Sequence, residues 1–220
     1  PYDLKLVGHY VYTANYGTND VSVVDVANPL APAYIGAISL GGGILYPYGL
    51  SAQGQYLYVA NYYGNSVSII NISNPLSPVL VNTISGVGSS TYDPYAVAVQ
   101  GKYLYTANHD SQSFSVINIA NPNAPVVVTR VNTGGPAFGV TVAGNYLFVS
   151  NDTANNVEIY DISNPGAPTL IKQITGTAGA YATTVVGKYL YTANFDAGTV
   201  SVIDLGGINT NAINTGSIET

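Results

Sequence analysis

Aspartate carboxylates are the groups of this chain that could bind a metal ion or a basic partner. Six aspartates are predicted to lie at the same end of a set of β-strands. They are Asp3, Asp20, Asp93, Asp110, Asp152 and Asp196. Several oxygen ligands close together would suit a hard cation. Aspartate also favours turns and keeps a protein in solution, and no Asp-x-Asp-x-Asp spacing predicts a calcium loop. We therefore predict no metal ion and no cofactor.

Aromatic residues are the second group with binding chemistry. One of them begins each predicted inner strand: Tyr2, Tyr48, Tyr95, Phe138 and Tyr181. Their rings offer apolar faces for sugars or other flat ligands, although the alternation of Tyr95 with Val97 also fits packing inside the protein. The residues predicted to bind at this end are Tyr2, Asp3, Tyr48, Tyr62, Tyr63, Asp93, Tyr95, His109, Asp110, Asp152, Tyr181 and Asp196.

Residues suited to catalysis are few. The two histidines, His9 and His109, fall at opposite predicted ends of the strands, so they cannot share a metal ion. A relay of Ser111, His109 and Asp110 can be drawn, but neighbouring residues on one loop seldom reach that geometry. Glu158 is predicted to occupy an exposed strand position. We predict no catalytic residues and a protein that is not an enzyme.

Two segments match the Asn-x-Ser/Thr acceptor for N-glycosylation, at Asn71 and at Asn151. A chain rich in Asn and Ser produces such matches by chance. Asn151 is predicted to lie on a loop at the same end as the aspartates, so it is the better candidate of the two.

One segment recurs five times and must position these groups. Its anchor is an aromatic strand that ends in asparagine, and the anchors begin 43 to 47 residues apart. The anchors occupy residues 10–15, 56–61, 103–108, 146–151 and 189–194. A period of this length is typical of a propeller or another array of β-repeats.

The third copy shows the strands of one repeat. Residues 94–101 predict a short strand closed by a glycine turn, and residues 102–108 the aromatic strand. β-Branched residues predict a third strand over 114–119. The pair Asn121-Pro122 predicts a turn, and residues 126–131 complete the unit with a fourth strand.

Four antiparallel strands per period of about 44 residues predict an all-β fold, a β-propeller of five four-stranded blades. One domain over 1–220 is expected, with blades over approximately 1–46, 47–93, 94–136, 137–179 and 180–220. The blade junctions and the loops between the second and third strands share one end, here called the top. The glycine turns and Asn-Pro turns share the other, the bottom.

The last copy departs from the pattern, since it lacks the Asn-Pro turn and ends in a polar segment over 212–219 that we predict to be a strand. Closure of the ring is expected to depend on packing of the first copy against the fifth. The final strand could instead pair with a neighbouring molecule.

Composition excludes some partners. The net charge of −6, with five Lys and Arg in all, leaves no basic stripe for nucleic acid. The chain has no run of about 18 apolar residues, so no membrane-spanning helix is predicted.

Charged residues make up 7% of the chain, and cysteine is absent. A neutral polar surface favours display outside a cell or packing against neighbours. Because the chain starts at Pro1, we expect it to be processed or part of something longer.

The repeat resembles the YVTN and LVIVD families of β-propeller repeats. The segments 134–140 (GGPAFGV), 56–61 (YLYVAN) and 200–204 (VSVID) are similar to the former. The segment 161–165 (DISNP), followed by Pro168, is similar to the latter. The resemblance implies a propeller over essentially the whole chain. Such repeats occur in archaeal and bacterial cell-surface proteins, in lactonase-like enzymes and in binding scaffolds, so it leaves function open.

From these features we expect a non-catalytic, extracellular or surface-displayed scaffold or adhesion module that binds protein or glycan at its top face. The alternative is a lactonase-like or lyase-like enzyme with a metal held by top-face aspartates. A third interpretation is a subunit of a filament, surface layer or virion, with self-assembly through the C-terminal strand.

Overall fold

The computed structural model describes residues 1–43, 45–88 and 93–206, which form five antiparallel sheets. Blade 1 holds β1 (Asp3–Val7), β2 (Tyr10–Asn15), β3 (Asp20–Asp25) and β4 (Ala33–Ser39); blade 2 holds β5 (Pro47–Gln53), β6 (Tyr56–Asn61), β7 (Ser66–Asn71) and β8 (Val79–Ser85). Blade 3 holds β9 (Ala96–Gln100), β10 (Tyr103–Asn108), β11 (Ser113–Asn118) and β12 (Val126–Asn132). Blade 4 holds β13 (Ala137–Ala143), β14 (Tyr146–Asn151), β15 (Asn156–Asp161) and β16 (Thr169–Thr175); blade 5 holds β17 (Ala180–Val186), β18 (Tyr189–Asn194) and β19 (Thr199–Asp204).

The predicted fold class is confirmed, since each sheet pairs its strands in sequence order. In blade 5 the described strands number three, and the fourth strand predicted over 212–219 lies outside the described residues. Within the described ranges no helix is long and apolar enough to cross a membrane.

The asparagine that ends each anchor ties the second strand of a blade to the third. In blade 2, the buried side-chain amide of Asn61 donates to the hydroxyls of Ser66 at 3.1 Å and Ser68 at 2.9 Å. Asn108 makes the matching bonds to Ser113 and Ser115 at 3.2 and 2.9 Å. Because a buried amide without partners is costly, these bonds account for the asparagine in every repeat.

Blade 4 departs from this pattern at Glu158, which occupies the place of Ser68 and Ser115. The prediction that Glu158 is exposed is wrong, since the residue is 1% exposed. Its carboxylate accepts bonds from the Gly134 amide at 3.1 Å, the Gln173 side chain at 2.7 Å and the Tyr160 hydroxyl at 2.8 Å. Three donors replace the water that a buried carboxylate loses.

The core consists of four apolar clusters, each shared by two consecutive blades. Small residues on the inner strands let those strands approach. A Cβ atom on Gly139 would lie 2.6 Å from the Tyr181 carbonyl oxygen, and one on Gly49 would lie 2.9 Å from the Ala96 Cα. The alternation of small and large residues along the inner strands therefore sets the spacing of the blades.

Blades 5 and 1 meet differently from the other pairs. Among the described residues no apolar cluster joins them, so the expected closure by packing of the first copy on the fifth is not seen there. At the axis the hydroxyl groups of Tyr2 and Tyr181 contact each other. Leu4 and Leu6 of blade 1 and Val200 and Val202 of blade 5 are exposed.

Candidate functional site: the aromatic cluster of the top face

An inner ring of aromatic side chains lies at the top, where the inner strands begin. Neighbouring ring centroids are 4.0 Å apart for Tyr2 and Tyr48, 4.4 Å for Tyr48 and Tyr95, 4.8 Å for Tyr95 and Phe138, and 4.9 Å for Phe138 and Tyr181. The five side chains are therefore one continuous aromatic surface around the axis. Backbone hydrogen bonds hold two of these residues in place. The Tyr2 amide donates to the Ala14 carbonyl, and the Tyr95 amide donates to the Ala107 carbonyl.

A second ring surrounds the first and comes from the residue that follows the anchor asparagine in each blade. Its members are Tyr16, Tyr62, His109, Asp152 and Phe195. Centroid distances to the inner ring are 5.4 Å from Tyr16 to Tyr48, 5.1 Å from Tyr62 to Tyr95 and 4.4 Å from His109 to Phe138. We name the two rings together the top aromatic cluster.

The sequence prediction missed Tyr16 and Phe195, and it missed Tyr46, which stacks on Tyr16 at 4.2 Å. Phe195 is 75% exposed, so its ring is open to a ligand. The signal was present in the sequence, because the position after the anchor is aromatic, His or Asp in every copy. Comparing the copies at that one position would have found the second ring.

A polar network crosses the cluster at blade 3. The Nδ1 atom of His109 contacts the carboxylate of Asp110, and the Tyr62 hydroxyl donates to the same oxygen at 3.2 Å. Beneath them the fully buried Asp93 accepts from the backbone amides of Asp110 at 3.0 Å and Ser111 at 3.4 Å. Asp93 thus fixes the loop that presents the histidine.

Asp152 and Asp196 form an acidic edge beside this network. Burial raises the pKa of Asp152, the negative charge of Asp196 raises it further, and His109 acts in the opposite direction. One carboxylate oxygen of Asp152 is buried with no hydrogen-bond partner. The edge therefore concentrates negative charge that His109 only partly offsets.

Tyr62 and Tyr95 are uncharged near neutral pH, because the fold raises the pKa of both hydroxyl groups. Burial raises the pKa of Tyr95, and hydrogen bonding with Tyr2 and Tyr181 adds to the effect. Burial also raises the pKa of Tyr62, with the Asp110 carboxylate as the second cause. The rings consequently present neutral faces and hydroxyl groups that can donate or accept.

A cavity of about 260 Å³ opens at the inner ring, lined by Tyr2, Tyr95, Phe138 and Tyr181, by Asp3 and by small inner-strand residues. This volume is slightly below the roughly 300 Å³ at which ligand pockets usually begin. It suits one small ring rather than a large cofactor.

None of the top loops contains Lys or Arg in its own sequence. Lys102 and Lys188 follow the bottom glycine turns, at the opposite end of the blades. Arg130, on the outer strand of blade 3, reaches the top junction between blades 2 and 3 and donates to the carbonyl oxygens of Val87 and Gly86. The carboxylates of Asp110, Asp152 and Asp196 favour neutral or cationic ligands over anions.

The structure brings most of the predicted binding residues together, but not all of them. Tyr2, Tyr48, Tyr62, Tyr95 and Tyr181 lie in the cluster. His109 and Asp152 belong to its second ring, and Asp93, Asp110 and Asp196 lie at the polar side of the same face.

Two predicted residues lie at the margins of the cluster. Asp3 lines the cavity at the inner ring, and its carboxylate also accepts from the Leu50 amide of blade 2 at 2.7 Å. Tyr63 packs on Tyr46 at 5.1 Å, to one side of the cluster, and widens the aromatic surface toward blade 1.

The glycosylation candidates have different surroundings. Asn151 is not on a loop; it ends β14, is fully buried and donates to Asn156 at 2.8 Å. Its amide is therefore engaged inside the fold, which corrects the preference for this site. Asn71 ends β7 at the bottom, where its side-chain oxygen accepts from the Ser73 amide.

The catalytic relay drawn from the sequence does not assemble. The hydroxyl of Ser111 bonds that of Ser113 at 2.9 Å, while His109 contacts Asp110. In residues 1–43, 45–88 and 93–206 no group of three or more His, Asp or Glu side chains is placed to hold a metal ion. The metal-dependent alternative thus finds no ligand set among these residues.

Solved structures share the fold. A Bacteroides uniformis protein provisionally assigned as a 6-phosphogluconolactonase matches with a TM-score of 0.77 and 14% identity over 91% of this chain and 65% of its own. The Pseudomonas aeruginosa periplasmic gluconolactonase PpgL matches with a TM-score of 0.71 and 15% identity, over 91% of this chain and 70% of its own. A nidogen/laminin complex matches with a TM-score of 0.67 and 16% identity, over 93% of this chain and 74% of its own. The chain thus spans less than two thirds of the Bacteroides protein.

These comparisons contradict the prediction that the chain is not an enzyme, since two structures with its fold are described as lactonases. At 14 and 15% identity the likeness itself shows the fold alone. No curated protein matches the sequence.

The repeats themselves match a family model. Residues 2–39, 48–85, 94–133 and 134–175 each match the LVIVD repeat, and the four matches cover most of the chain. The likeness to YVTN repeats stays a resemblance. On the strength of the four matched repeats and the blades they form, the chain belongs to the LVIVD repeat family.

Proposed function

We propose that the top aromatic cluster binds a neutral glycan and that the propeller is a surface-displayed recognition module. The observation that carries the proposal is the pair of concentric rings around the axis, which combines aromatic faces with hydroxyl and carboxylate groups. Sugars are recognised in this way, with apolar faces stacked on aromatic rings and hydroxyls bonded to polar side chains.

Charge supports a neutral ligand. A phosphorylated or otherwise acidic sugar would meet Asp110, Asp152 and Asp196 with no Lys or Arg in the top loops to balance them. A neutral sugar meets no such repulsion, and its hydroxyls can donate to the carboxylates.

Display outside a cell is supported by composition. Charged residues make up 7% of the chain, while Asn, Thr, Ser and Tyr are abundant. A nidogen/laminin complex is among the structures with this fold. Neutral glycans of a cell surface or matrix are accordingly the proposed ligand class.

Titration calorimetry with cellotetraose, maltotetraose and chitotetraose tests the proposal. We expect at least one to bind, and Tyr62→Ala to weaken binding about tenfold, which corresponds to 1.4 kcal/mol. Tyr34→Ala is the matched control, because Tyr34 is 67% exposed on the outer strand β4. Failure of all three sugars to bind, or equal affinity of the two variants, would overturn the proposal.

Hydrolysis of a sugar lactone is the second candidate, and the contact of His109 with Asp110 favours it. With Nδ1 held by the carboxylate, Nε2 would take a proton from water as the hydroxide adds to the lactone carbonyl carbon. The ring C–O bond then breaks, and the alkoxide recovers the proton from Nε2. The fold shared with proteins described as lactonases supports the same reaction.

Release of acid from glucono-δ-lactone, followed at constant pH, tests this candidate. We expect hydrolysis above the spontaneous rate for the natural chain and the spontaneous rate alone for His109→Ala. His9→Ala is the control, since His9 lies in a bottom turn. Equal rates with and without protein would exclude it.

A further inference from the structure

Four of the five inner-ring side chains form the walls of the small cavity at the axis. They are Tyr2, Tyr95, Phe138 and Tyr181. The ring of Tyr95 is inclined at 76° to that of Tyr2, 6.0 Å away, and at 87° to that of Tyr181, 6.2 Å away. Rings inclined in this way surround a space, whereas parallel rings would stack and fill it. The cavity is therefore an aromatic cage.

One carboxylate also lines the cavity, at the position that follows the inner-ring aromatic. Four copies have a small residue at this position, namely Gly49, Ala96, Gly139 and Ala182, and the first copy has Asp3. A small residue there lets neighbouring inner strands approach, as the Cβ contacts of Gly49 and Gly139 show. Among the described residues that line the cavity, Asp3 is the one with a charged side chain. The first copy thus adds a negative charge to the cage.

The polar atoms around the cavity already have partners within the protein. The Asp3 carboxylate accepts from two backbone amides, each at 2.7 Å. The Tyr2 hydroxyl donates to the Tyr95 hydroxyl at 3.3 Å and contacts the Tyr181 hydroxyl. A ligand that brings no N–H or O–H donor into the cavity therefore leaves these bonds intact. The negative charge of Asp3 remains available to attract a cation.

The other charges near the cavity do not cancel that of Asp3. Asp152 and Asp196 form the acidic edge of the same face. Lys5 lies two residues farther along β1 toward the bottom and does not line the cavity. Arg130 reaches the top, but its guanidinium donates to junction carbonyls. The charges around the cavity therefore favour a cation over an anion.

We propose that this cavity binds a quaternary ammonium group, the trimethylammonium end of a choline-like ligand. The face of an aromatic ring attracts a cation, and a quaternary ammonium has no N–H donor that would need an acceptor. Its methyl groups contact the ring walls, and its charge is neutralised by the Asp3 carboxylate. The volume of about 260 Å³ accommodates such a compact group rather than a sugar chain. The inference goes beyond the glycan proposal and does not depend on it.

NMR titration of the natural chain with choline and with 3,3-dimethylbutanol tests the proposal. The two molecules have the same shape, but carbon replaces the charged nitrogen in the second, and each gives one sharp methyl signal. We expect saturation-transfer titrations to show that choline binds at least about tenfold more tightly, because it alone gains the attraction of the rings and of Asp3. Ethanolamine, a primary ammonium with N–H donors, should bind more weakly than choline.

Two variants locate the ligand. Phe138→Leu keeps the wall apolar but removes its ring, so we expect choline affinity to fall about fivefold and the affinity for 3,3-dimethylbutanol to stay unchanged. Tyr34→Leu is the matched control, because Tyr34 is 67% exposed on the outer strand β4. Asp3→Asn should lower choline affinity about tenfold. Asp25→Asn removes the same charge from a bottom turn and should leave the affinity unchanged.

Several results would overturn the proposal. They are no binding of choline, equal affinity for choline and 3,3-dimethylbutanol, or equal affinity for choline and ethanolamine. An equal loss in Phe138→Leu and Tyr34→Leu would show that the ligand lies outside the cavity. The comparison of ligands uses the natural chain, so it decides the question even if a variant does not fold. Tetrasaccharide binding without choline binding would overturn this inference and leave the glycan proposal intact.

Discussion

The bottom and the top of the blades differ in how far the five copies agree. At the bottom each blade repeats the same turn, in which the Asp or Asn that ends the third strand accepts from the amide two residues on, at 2.8 or 2.9 Å. The five glycines of the hairpin turns all have φ between +58 and +60. At the top the residue after the anchor is Tyr, Tyr, His, Asp or Phe. Agreement among copies therefore identifies the framework, and divergence marks the face for which we propose ligand binding.

The framework should fail most severely where inner strands touch. Gly139→Ala places a Cβ 2.6 Å from the Tyr181 carbonyl oxygen, so we expect loss of about 3 kcal/mol in the free energy of unfolding. Gly36→Ala is the control, because no atom lies within 4 Å of its added Cβ. Urea denaturation measures both, and equal stability of the two variants would contradict the close approach.

The anchor asparagine should have the next largest effect. Asn61→Ala removes two buried bonds to Ser66 and Ser68, and we expect destabilisation of about 2 kcal/mol. Thermal unfolding measures it, with Tyr62→Ala as the neighbouring control that should change binding rather than stability. If Tyr62→Ala destabilises as much as Asn61→Ala, the division between framework and binding face is wrong.

The bottom turns should contribute less. Asn74→Ala removes a single exposed bond to the Leu76 amide at 3.2 Å, so we expect a loss of about 1 kcal/mol. Glycan affinity should stay unchanged, because this turn lies at the far end of the blade. An altered affinity in calorimetry would place the ligand outside the top face.

The smallest effect is expected at the acidic edge, and it depends on pH. The folded chain raises the pKa of Asp152 above its usual value of 3.8, so the folded state binds the proton more tightly than the unfolded state does. Stability then falls as pH rises through the raised pKa. We expect Asp152→Asn to be slightly more stable than the natural chain at pH 7, with the difference disappearing toward pH 3.8. A difference that grows in acid would contradict this sign.

The sequence predicts the framework well because its causes are local. Strand alternation, glycine turns and Asn-Pro turns act over a few residues and recur five times. Glu158 can be buried because three donors satisfy its carboxylate. The sequence pattern did not show this, since the donors come from a junction and from two strands. The exposed faces of blades 1 and 5 were missed because exposure depends on which blades lie beside them, and no residue type encodes that.

The candidate site was predicted in part for the same reason. The inner ring follows from the start of each inner strand, a position fixed by the repeat. The roles of Asp93 and Tyr46 depend on loop conformation, including contacts between junction and loop that the repeat does not specify.

Fluorine NMR of the chain labelled with 3-fluorotyrosine tests the central claim most directly. Tyrosines mark both ends of the blades, with Tyr62 and Tyr95 at the top and Tyr10, Tyr56 and Tyr103 at the bottom. On titration with the tetrasaccharide that binds, we predict shifts of the Tyr62 and Tyr95 signals and none of the bottom signals. Shifts confined to Tyr10, Tyr56 or Tyr103 would contradict binding at the top aromatic cluster.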